Sequence, residues 1–239
     1  MSILNFSLII GCYNEERVLR ESIKQIIDVF EIANIEYEII FVDDKSTDNT
    51  VGIIREILKG HADWQLIEHS KNVGRGKTVA DGIKVSRFPI VGFIDLDLST
   101  SPWYLPRLIY EAKNGADIAT ALRVYKLRPR TLFRWILSKG YNFLMRHLLE
   151  CDLNDTETGC KVFNKAKMLP LLDVIRNPHW FWDTEIMLRS RLAGHRIKEV
   201  PSVFIREGLS TTVRVFKDTK DYMVNLIRFR RELNDIKKR

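Results

Sequence analysis

The strongest constraint on the fold is an alternation, through the first half of the chain, of short β-rich apolar runs with segments of helical periodicity. Such alternation is typical of βαβ units, which build a mostly parallel sheet. The apolar runs are nearly continuous, as expected of strands covered on both faces. We therefore predict an α/β protein with helices flanking the sheet. The predicted strands are Phe6–Cys12, Tyr37–Asp43, Gln65–Glu68 and Ile90–Asp95, and the predicted helices cover Glu15–Ile32, about Asp48 to Leu58, and Lys77–Ser86.

The second half has a different pattern. Thr131–Leu149 is helical in period, but it is unusually rich in both apolar and basic residues. It is either an interfacial helix lying among lipid headgroups or a core helix whose basic side chains reach solvent. The other predicted elements are helices at Met168–Ile175, Asp183–Ala193 and Asp218–Leu233, and a strand at Ile197–Ile205 in which Pro201 indicates a sheet edge.

Composition indicates one globular domain. The chain has 239 residues, of which 45% are hydrophobic, enough for a sizeable core. No apolar run reaches the roughly 18 residues that a membrane-spanning helix needs, and the N-terminal residues read as a first strand and not as a signal peptide. The cysteines at 12, 151 and 160 lack CxxC spacing. We therefore expect no disulfide framework and no zinc site, which fits a reducing cytoplasm.

The net charge of +7 is unevenly distributed. Residues 118–149 contain seven Lys or Arg and no Asp or Glu, and residues 206–239 contain ten basic and five acidic residues. Such runs can be solvated faces, or they can bind an anionic membrane surface, a phosphate substrate or nucleic acid. No nucleic-acid-binding module is recognisable, so we expect no nucleic-acid partner.

Three predicted strands end in polar or acidic residues, namely Tyr13-Asn14-Glu15, Asp43-Asp44 and Asp95-Leu96-Asp97. In open α/β sheets, ligands bind outside the carboxyl ends of the strands. Two carboxylates spaced as Asp95 and Asp97 can hold a hard divalent cation that bridges a diphosphate, although a simple strand-end turn has the same pattern.

Two other polar segments have competing interpretations. Asp43 or Asp44 can accept hydrogen bonds from a nucleobase or ribose, whereas Asp48 is expected to cap the next helix. The run from Gly74 to Thr78 is not a Walker A loop, because Lys71 stands where the first glycine is needed. It can still form a glycine-rich helix start with a positive dipole end.

The motifs follow one another in the order of a known family. The first four are Cys12-Tyr13-Asn14-Glu15, VDDKSTDNT at 42–50, NVGRG at 72–76 and Asp95-Leu96-Asp97. They resemble the inverting glycosyltransferases of family 2, whose sheet is the Rossmann-like GT-A fold. The later motifs resemble the dolichyl-phosphate (polyprenyl-phosphate) mannose and glucose synthases: Arg123, RWILSKG at 134–140, DTETGCK at 155–161, WDTE at 182–185, EVP at 199–201, and Arg206 with Gly208 and Ser210. The similarity covers nearly the whole chain.

This resemblance implies roles for individual residues. The implied nucleotide contacts are Tyr13, Glu15, Asp43 and Asp95. The implied ligands of Mg²⁺ or Mn²⁺ are Asp95 and Asp97. The implied catalytic residues are Asp97, Asp155, Arg123 and Arg134. The implied acceptor-binding residues are Lys139, Arg206 and Arg214.

The chain departs from the family pattern at three places. Gly11 stands where a proline is usual, and Ser99 stands where many members have a glutamine that helps to ligate the metal. The spacing of basic residues after Ser210 differs as well, which bears on the role of Arg214. The DTETGCK and HWFWDTE segments look closer to the glucosyl branch, which favours UDP-glucose as donor, with GDP-mannose next.

By this resemblance, the chain transfers a hexose from a nucleotide-diphosphate sugar to a polyprenyl or dolichyl phosphate, with inversion. Residues 1–122 would form the nucleotide-sugar-binding half of a single GT-A domain, and residues 123–239 the acceptor-binding, membrane-facing half with C-terminal interfacial basic helices. The expected location is peripheral, on the cytosolic face of a membrane, with a membrane-protein recruiter as a further candidate partner.

Other acceptors and classes stay open at this point. A phosphate acceptor is already a nucleophile, whereas a glycan or glycolipid hydroxyl needs a general base. Asp183 and Glu185 are candidates for that base, or they orient neighbouring arginines. The alternative from another class is a non-catalytic, membrane-docking module that binds sugar nucleotides.

Overall fold

The computed structural model describes residues 4–125, 140, 146, 149, 151–205 and 215–237, the last segment with side chains from Tyr222 to Leu233. The strands are β1 Leu4–Cys12, β2 Ile35–Asp43, β3 Gln65–Glu68, β4 Ile90–Ile94, β5 Ile118–Tyr125, β6 Cys160–Asn164 and β7 Ile197–Phe204. The helices are α1 Leu19–Ile32, α2 Thr50–Leu58, α3 Arg75–Val85, α4 Leu105–Lys113, α5 Lys165–Leu172, α6 Trp182–Leu192 and α7 Val215–Lys237. The predicted helix Thr131–Leu149 lies almost entirely outside the described residues.

The strands form one seven-stranded sheet in the order β3-β2-β1-β4-β6-β5-β7. Only β6 runs antiparallel to its neighbours β4 and β5, and the other described pairs are parallel. The predicted α/β architecture with a mostly parallel sheet is therefore confirmed. Pro201 lies in β7 at the sheet edge, as predicted, where a missing N–H costs no ladder bond.

Helices cover both faces of the sheet, which explains the continuous apolar runs of β1 and β2. One face packs against α1, α2 and α4, and the other against α3, α5, α6 and α7. Helix α1 shows the underlying pattern, because Leu19, Ile23, Ile26 and Phe30 are all buried at helical spacing. Burial of this apolar area is the main force that fixes the helices to the sheet.

The predicted element boundaries fail mainly near the strand ends. Helix α1 begins at Leu19 and not at Glu15, because the Glu15 carbonyl accepts the Val18 and Leu19 N–H groups in a preceding turn. Asn14 adopts a left-handed backbone with φ of 59° just before that turn. Polar residues that hydrogen-bond the loops after β1 and β2 to each other thus keep this segment in a turn, and the helix begins later than predicted.

Strands β5 and β6 and helix α4 were not predicted. Strand β6 has five residues, and Lys161 interrupts its apolar run although that lysine is fully buried. A buried charge needs a partner elsewhere in the fold, which local periodicity cannot reveal.

The topology fixes where a ligand can bind. Strand β1 pairs with β2 on one side and with β4 on the other, so the strand order reverses beside β1. A crevice is expected outside the carboxyl ends of the strands at such a switch point. Because β6 is antiparallel, it begins where β4 ends, with Cys160 opposite Ile94. The segment before β6 therefore reaches the same edge.

Helix α3 lies against α6 through a glycine. A Cβ atom on Gly76 would lie 2.2 Å from the Cβ atom of Trp182, which is 2% exposed. We predict that Gly76→Ala lowers the free energy of unfolding by about 1–3 kcal/mol, the usual cost of overpacking. Urea denaturation measures this loss.

Gly60→Ala is the matched control, because among the described residues its Cβ would meet only the Ile57 carbonyl oxygen, at 3.9 Å. Equal stability of the two variants would contradict this account of the α3–α6 contact.

Candidate functional site

The loops after β1 and β2 are tied together by side-chain hydrogen bonds. The Asn14 Oδ1 atom accepts the Thr47 N–H at 2.7 Å, and the Thr50 hydroxyl accepts the Glu15 N–H at 2.8 Å. This lacing leaves the Tyr13 side chain half exposed and Glu15 partly buried at the carboxyl edge of the sheet. Both residues lie at the edge where ligands bind in such sheets, and their nucleotide contacts stay predictions.

The two aspartates that end β2 have different environments. Asp44 accepts the N–H groups of Val73 and Gly74, each at 2.8 Å, and contacts His69 Nδ1 at 2.9 Å. It is therefore committed to holding the start of α3. Asp43 accepts the Ser46 N–H through Oδ2, but its buried Oδ1 has no hydrogen-bond partner within the described part of the chain. Asp43 is the one of the pair that can still accept a bond from a ligand.

Asp48 behaves much as predicted at the start of α2. Its Oδ1 atom accepts the Thr50 N–H at 3.0 Å, and its Oδ2 atom accepts the Glu16 N–H at 3.1 Å. Asn49 occupies the N-cap position without a capping side-chain bond. Asp48 therefore satisfies a helix N–H from one residue further out than an ordinary N-cap.

Protein acceptors take three N–H groups around the start of α3. Asp44 takes the N–H groups of Val73 and Gly74, and the Pro178 carbonyl takes the Lys77 N–H at 3.0 Å. These three N–H groups are therefore not open to a phosphate. The glycine at 76 serves close packing on Trp182, and not the approach of a ligand.

Asp95 and Asp97 follow β4 directly. The Asp95 N–H donates to the Gly159 carbonyl at 2.8 Å, and its Oδ1 accepts Arg75 Nε at 3.1 Å. Asp97 is exposed and accepts the Ser99 N–H at 3.0 Å and the Ser99 hydroxyl at 2.8 Å. Ser99 thus orients the Asp97 carboxylate.

These oxygens fit a hard divalent cation. Burial, and after it repulsion from Asp95 and Asp97, raises the pKa of Glu15. Asp95 Oδ2 accepts no hydrogen bond from a described residue. Within the described ranges, no three His, Cys, Asp or Glu side chains form a complete cage. A site with one or two carboxylates that is completed by substrate phosphates is the arrangement that Mg²⁺ commonly uses.

Arg123 and Asp155 form a buried pair beside this cluster. Asp155 accepts Arg123 Nε at 2.6 Å and Nη2 at 2.7 Å, in bidentate geometry. Burial opposes the charged form, but Arg123 and the hydrogen bonds outweigh it and hold the pKa of Asp155 below its ordinary value. The Glu199 carboxylate on β7 fixes the loop by accepting the Asp155 N–H at 2.9 Å.

The two candidate bases are both engaged. Asp183 is 3% exposed and binds Lys161 at 2.8 Å as well as Arg75, while Glu185 is fully buried and binds Arg189 at 2.7 Å. These contacts agree with the hypothesis that they orient neighbouring basic residues.

Arg75, Lys161 and Glu199 lie in motifs that carried the resemblance, but sequence reasoning gave them no role in the site. Lys161 had one available signal, since it is a lysine inside the otherwise apolar strand run CKVF. Four predicted site residues lie outside the described residues, and their roles stay predictions: Arg134, Lys139, Arg206 and Arg214.

The environment of Glu15 predicts a pH-dependent stability. Burial, followed by repulsion from Asp95, Asp97 and Asp48, raises the pKa of Glu15 from 4.5 to about 7. The folded chain therefore binds more protons than the unfolded chain between these values, so stability falls as pH rises through that window. Glu15→Gln, which cannot ionise, should raise the melting temperature at about pH 8 by about 2 °C or more.

At about pH 5 the same substitution should have little effect, because Glu15 is then largely protonated in the folded state. A matched shift at both pH values, or a lower melting temperature at about pH 8, would contradict this account of Glu15.

Two curated relatives have names that describe sugar transfer. The chain is 28% identical over 217 residues to glycosyltransferase AglD of Haloferax volcanii, covering 89% of this chain and 35% of the relative. It is 26% identical over 217 residues to dolichyl-phosphate beta-glucosyltransferase of Saccharomyces cerevisiae, covering 82% of this chain and 65% of the relative. The chain thus spans between about a third and just under two thirds of the length of these relatives.

Solved structures support the fold. Glucosyl-3-phosphoglycerate synthase of Mycobacterium tuberculosis, crystallised with Mn²⁺, uridine diphosphate and glucosyl-3-phosphoglycerate, superposes with a TM-score of 0.68 at 19% identity. The match covers 95% of this chain and 79% of that one. The fold is therefore GT-A.

The family follows from the sequence match together with this fold. Residues 7–169 match the family described as Glycosyl transferase family 2, a span that runs from within β1 through β6 and includes the acidic strand ends. The described site lies at those strand ends, with the Arg123–Asp155 pair beside it. The chain therefore belongs to glycosyltransferase family 2.

Proposed function

We propose that this glycosyltransferase moves a hexose, with inversion, from a nucleotide-diphosphate sugar to a polyprenyl phosphate, and that it needs a divalent cation. The observation that carries the proposal is the convergence of Glu15, Asp95 and Asp97 at the strand ends, beside the Arg123–Asp155 pair. Negative groups would bind the cation, and positive groups would face the phosphates.

Asp95 and Asp97 would hold Mg²⁺ or Mn²⁺. When bound, the cation would stabilise the negative charge that develops on the leaving nucleoside diphosphate. Ser99 would act through Asp97, whose carboxylate it already orients, and not as a ligand. Related structures crystallised with Mn²⁺ or Mg²⁺ and uridine diphosphate support the metal, although their identity to this chain is only about a fifth.

The nucleotide would lie against the loops after β1 and β2. Tyr13 is half exposed there and can cover a base with its ring. The unpartnered Asp43 Oδ1 would gain its missing hydrogen bond from a base N–H or a ribose hydroxyl. Glu15 would complete the contact. The named yeast relative favours UDP-glucose as donor, with GDP-mannose as the second candidate.

A phosphate acceptor is consistent with the pairing of both candidate bases to basic side chains. Asp183 and Glu185 are buried and paired with Lys161, Arg75 and Arg189, so neither is free to take a proton from a hydroxyl. A phosphate monoester needs no such base, since its second pKa of about 6 leaves it largely dianionic at neutral pH. Asp155 stays charged and would position Arg123 toward that dianion.

The remaining acceptor contacts would come from the second half of the chain. Lys139, Arg206 and Arg214 are proposed for this role on sequence alone, and Arg134 is proposed as a catalytic residue on the same basis. On the same basis we propose a nucleotide-sugar-binding half at 1–122 and an acceptor-binding, membrane-facing half at 123–239. Strands from both halves share one sheet.

An anionic membrane surface is the proposed working location. In the part of the chain that the structure describes, no helix is both long and apolar enough to cross a bilayer. Helix α7 exposes Val224 and Ile227 beside Arg228 and Arg231, around a 610 Å³ cavity. Apolar and basic residues on one helix face suit the headgroup region of anionic lipids. A peripheral site on the cytosolic face, with or without a membrane-protein recruiter, would bring the enzyme to its lipid acceptor.

A transfer assay tests the proposal. Polyprenyl phosphate is supplied with radiolabelled UDP-glucose or GDP-mannose, with Mn²⁺, Mg²⁺ or a chelator. We expect label from UDP-glucose in the organic phase, lost when the cation is removed. Label transferred only to a water-soluble glycan would replace the phosphate acceptor with a hydroxyl, and donor binding without turnover would indicate the non-catalytic alternative.

Asp97→Asn is the sharpest variant for the metal. We expect turnover to fall by at least about 100-fold, as when a preorganised electrostatic contact to the transition state is lost. Asp173→Asn is the matched control, because that carboxylate is 73% exposed and paired only with Lys84 among the described residues. Full metal-dependent turnover by Asp97→Asn would remove Asp97 from the metal site.

A further inference from the structure

Four charged side chains form a line of alternating sign from the core to the candidate site. In order they are Lys161, Asp183, Arg75 and Asp95. Their side-chain exposures rise along this line, at 0%, 4%, 16% and 39%. The line begins in the middle of β6 and ends at the carboxylate that follows β4.

The inner pair is fixed by its burial. Lys161 Nζ lies 2.8 Å from Asp183 Oδ1 and also donates to the Thr158 carbonyl, and it faces the ring of Phe93 at 5.4 Å. Within the described ranges, Asp183 is the acidic group paired with this lysine. A fully buried ammonium group is costly without such a partner, so Lys161 ties the position of Asp183 to the core.

Arg75 is shared between two carboxylates. It donates through Nη1 to Asp183 Oδ2, and through Nε and Nη2 to Asp95 Oδ1 at 3.1 and 2.5 Å. Its guanidinium group lies 5.0 Å from the ring centre of Phe93 and 5.4 Å from that of Trp180. The two rings restrict the movement of this group. Its charge is shared between Asp183, the inner partner, and Asp95, the outer partner.

We infer that Arg75 is a positioning residue that sets how much of the Asp95 charge is available to a divalent cation, and that Asp183, anchored by Lys161, draws Arg75 away from Asp95. The inference rests on the proposed function, because it takes Asp95 as a metal ligand. Arg75 and the cation compete for the charge of one carboxylate. Asp183 weakens the interaction of Arg75 with Asp95, and Lys161 keeps Asp183 in place.

Opposite changes in metal affinity are expected from two members of the line. In Arg75→Gln the competing cation is absent, so Mn²⁺ should bind about tenfold more tightly. In Asp183→Asn the arginine retains only Asp95 as a charged partner in the line, so Mn²⁺ should bind about tenfold more weakly. A merely structural role would lower the affinity in both variants, since each would loosen the same site.

The measurement is the electron paramagnetic resonance signal of free Mn²⁺, titrated into the full chain without donor at a fixed pH. Arg107→Gln is the matched control, because it removes one arginine that is 60% exposed and paired with Glu111 on α4. Its Mn²⁺ affinity should equal that of the parent chain. If Asp183→Asn fails to fold around the unpaired lysine, Lys161→Met with Asp183→Asn removes both buried charges and should weaken Mn²⁺ binding in the same way.

A double-mutant cycle tests whether Asp183 acts through Arg75. In the Arg75→Gln background, Asp183→Asn should change the Mn²⁺ affinity by less than about twofold, although alone it weakens binding about tenfold. Additive effects would overturn the inference, and so would unchanged or weaker binding by Arg75→Gln, or unchanged or tighter binding by Asp183→Asn.

Asp97→Asn separates this inference from the proposed function. If Asp97→Asn weakens Mn²⁺ binding while the Arg75 and Asp183 variants do not shift it as expected, only the inference fails. If Asp97→Asn leaves Mn²⁺ binding intact, or no variant binds Mn²⁺ saturably, the metal site of the proposed function fails and the inference fails with it.

Discussion

The pairing of β4 with the antiparallel strand β6 is the constraint on which the site depends. It places Cys160 opposite Ile94, so the chain enters β6 where β4 delivers Asp95. The Asp95 N–H then bonds to the Gly159 carbonyl, and a Cβ atom on Gly159 would lie 1.8 Å from Asp95 Oδ2. A parallel β6 would begin at the opposite edge. Because it is antiparallel, the segment that carries Asp155 lies beside the acidic strand ends.

Charge balance at this edge follows from that arrangement. Asp155 and Arg123 neutralise each other by a bidentate contact, and Asp183 is paired with Lys161 and Arg75. The group with the clearest residual repulsion is Glu15, whose raised pKa reflects Asp95, Asp97 and Asp48 after the effect of burial. Asp95 and Asp97 are thus more exposed than the paired basic groups Arg75, Arg123 and Lys161. Exposed carboxylates of this kind can bind a divalent cation whose coordination substrate phosphates complete.

Much of the fold could be predicted from the sequence, and so could the outer part of the site, which is the acidic strand ends. Strands with continuous apolar runs were visible from β1, β2 and β4, and the acidic ends could be read directly after them. The inner part was hidden, because Lys161 breaks the apolar pattern of β6 and its partner Asp183 is 22 positions away. Likewise, Asp43 and Asp44 are neighbours in sequence, but only tertiary contacts with Val73 and Gly74 commit Asp44 to structure. Periodicity reports which face of an element is buried, and it does not report which distant charge completes a pair.

The central claim is that the carboxylates after β4 hold a divalent cation against the donor diphosphate. Anomalous diffraction at the manganese absorption edge, from crystals grown with Mn²⁺ and uridine diphosphate, tests it most directly. The account predicts an anomalous peak that contacts the Asp97 carboxylate and the diphosphate oxygens, with Asp95 adjacent. A fully occupied nucleotide without manganese at these carboxylates, or manganese bound elsewhere on the chain, would contradict it.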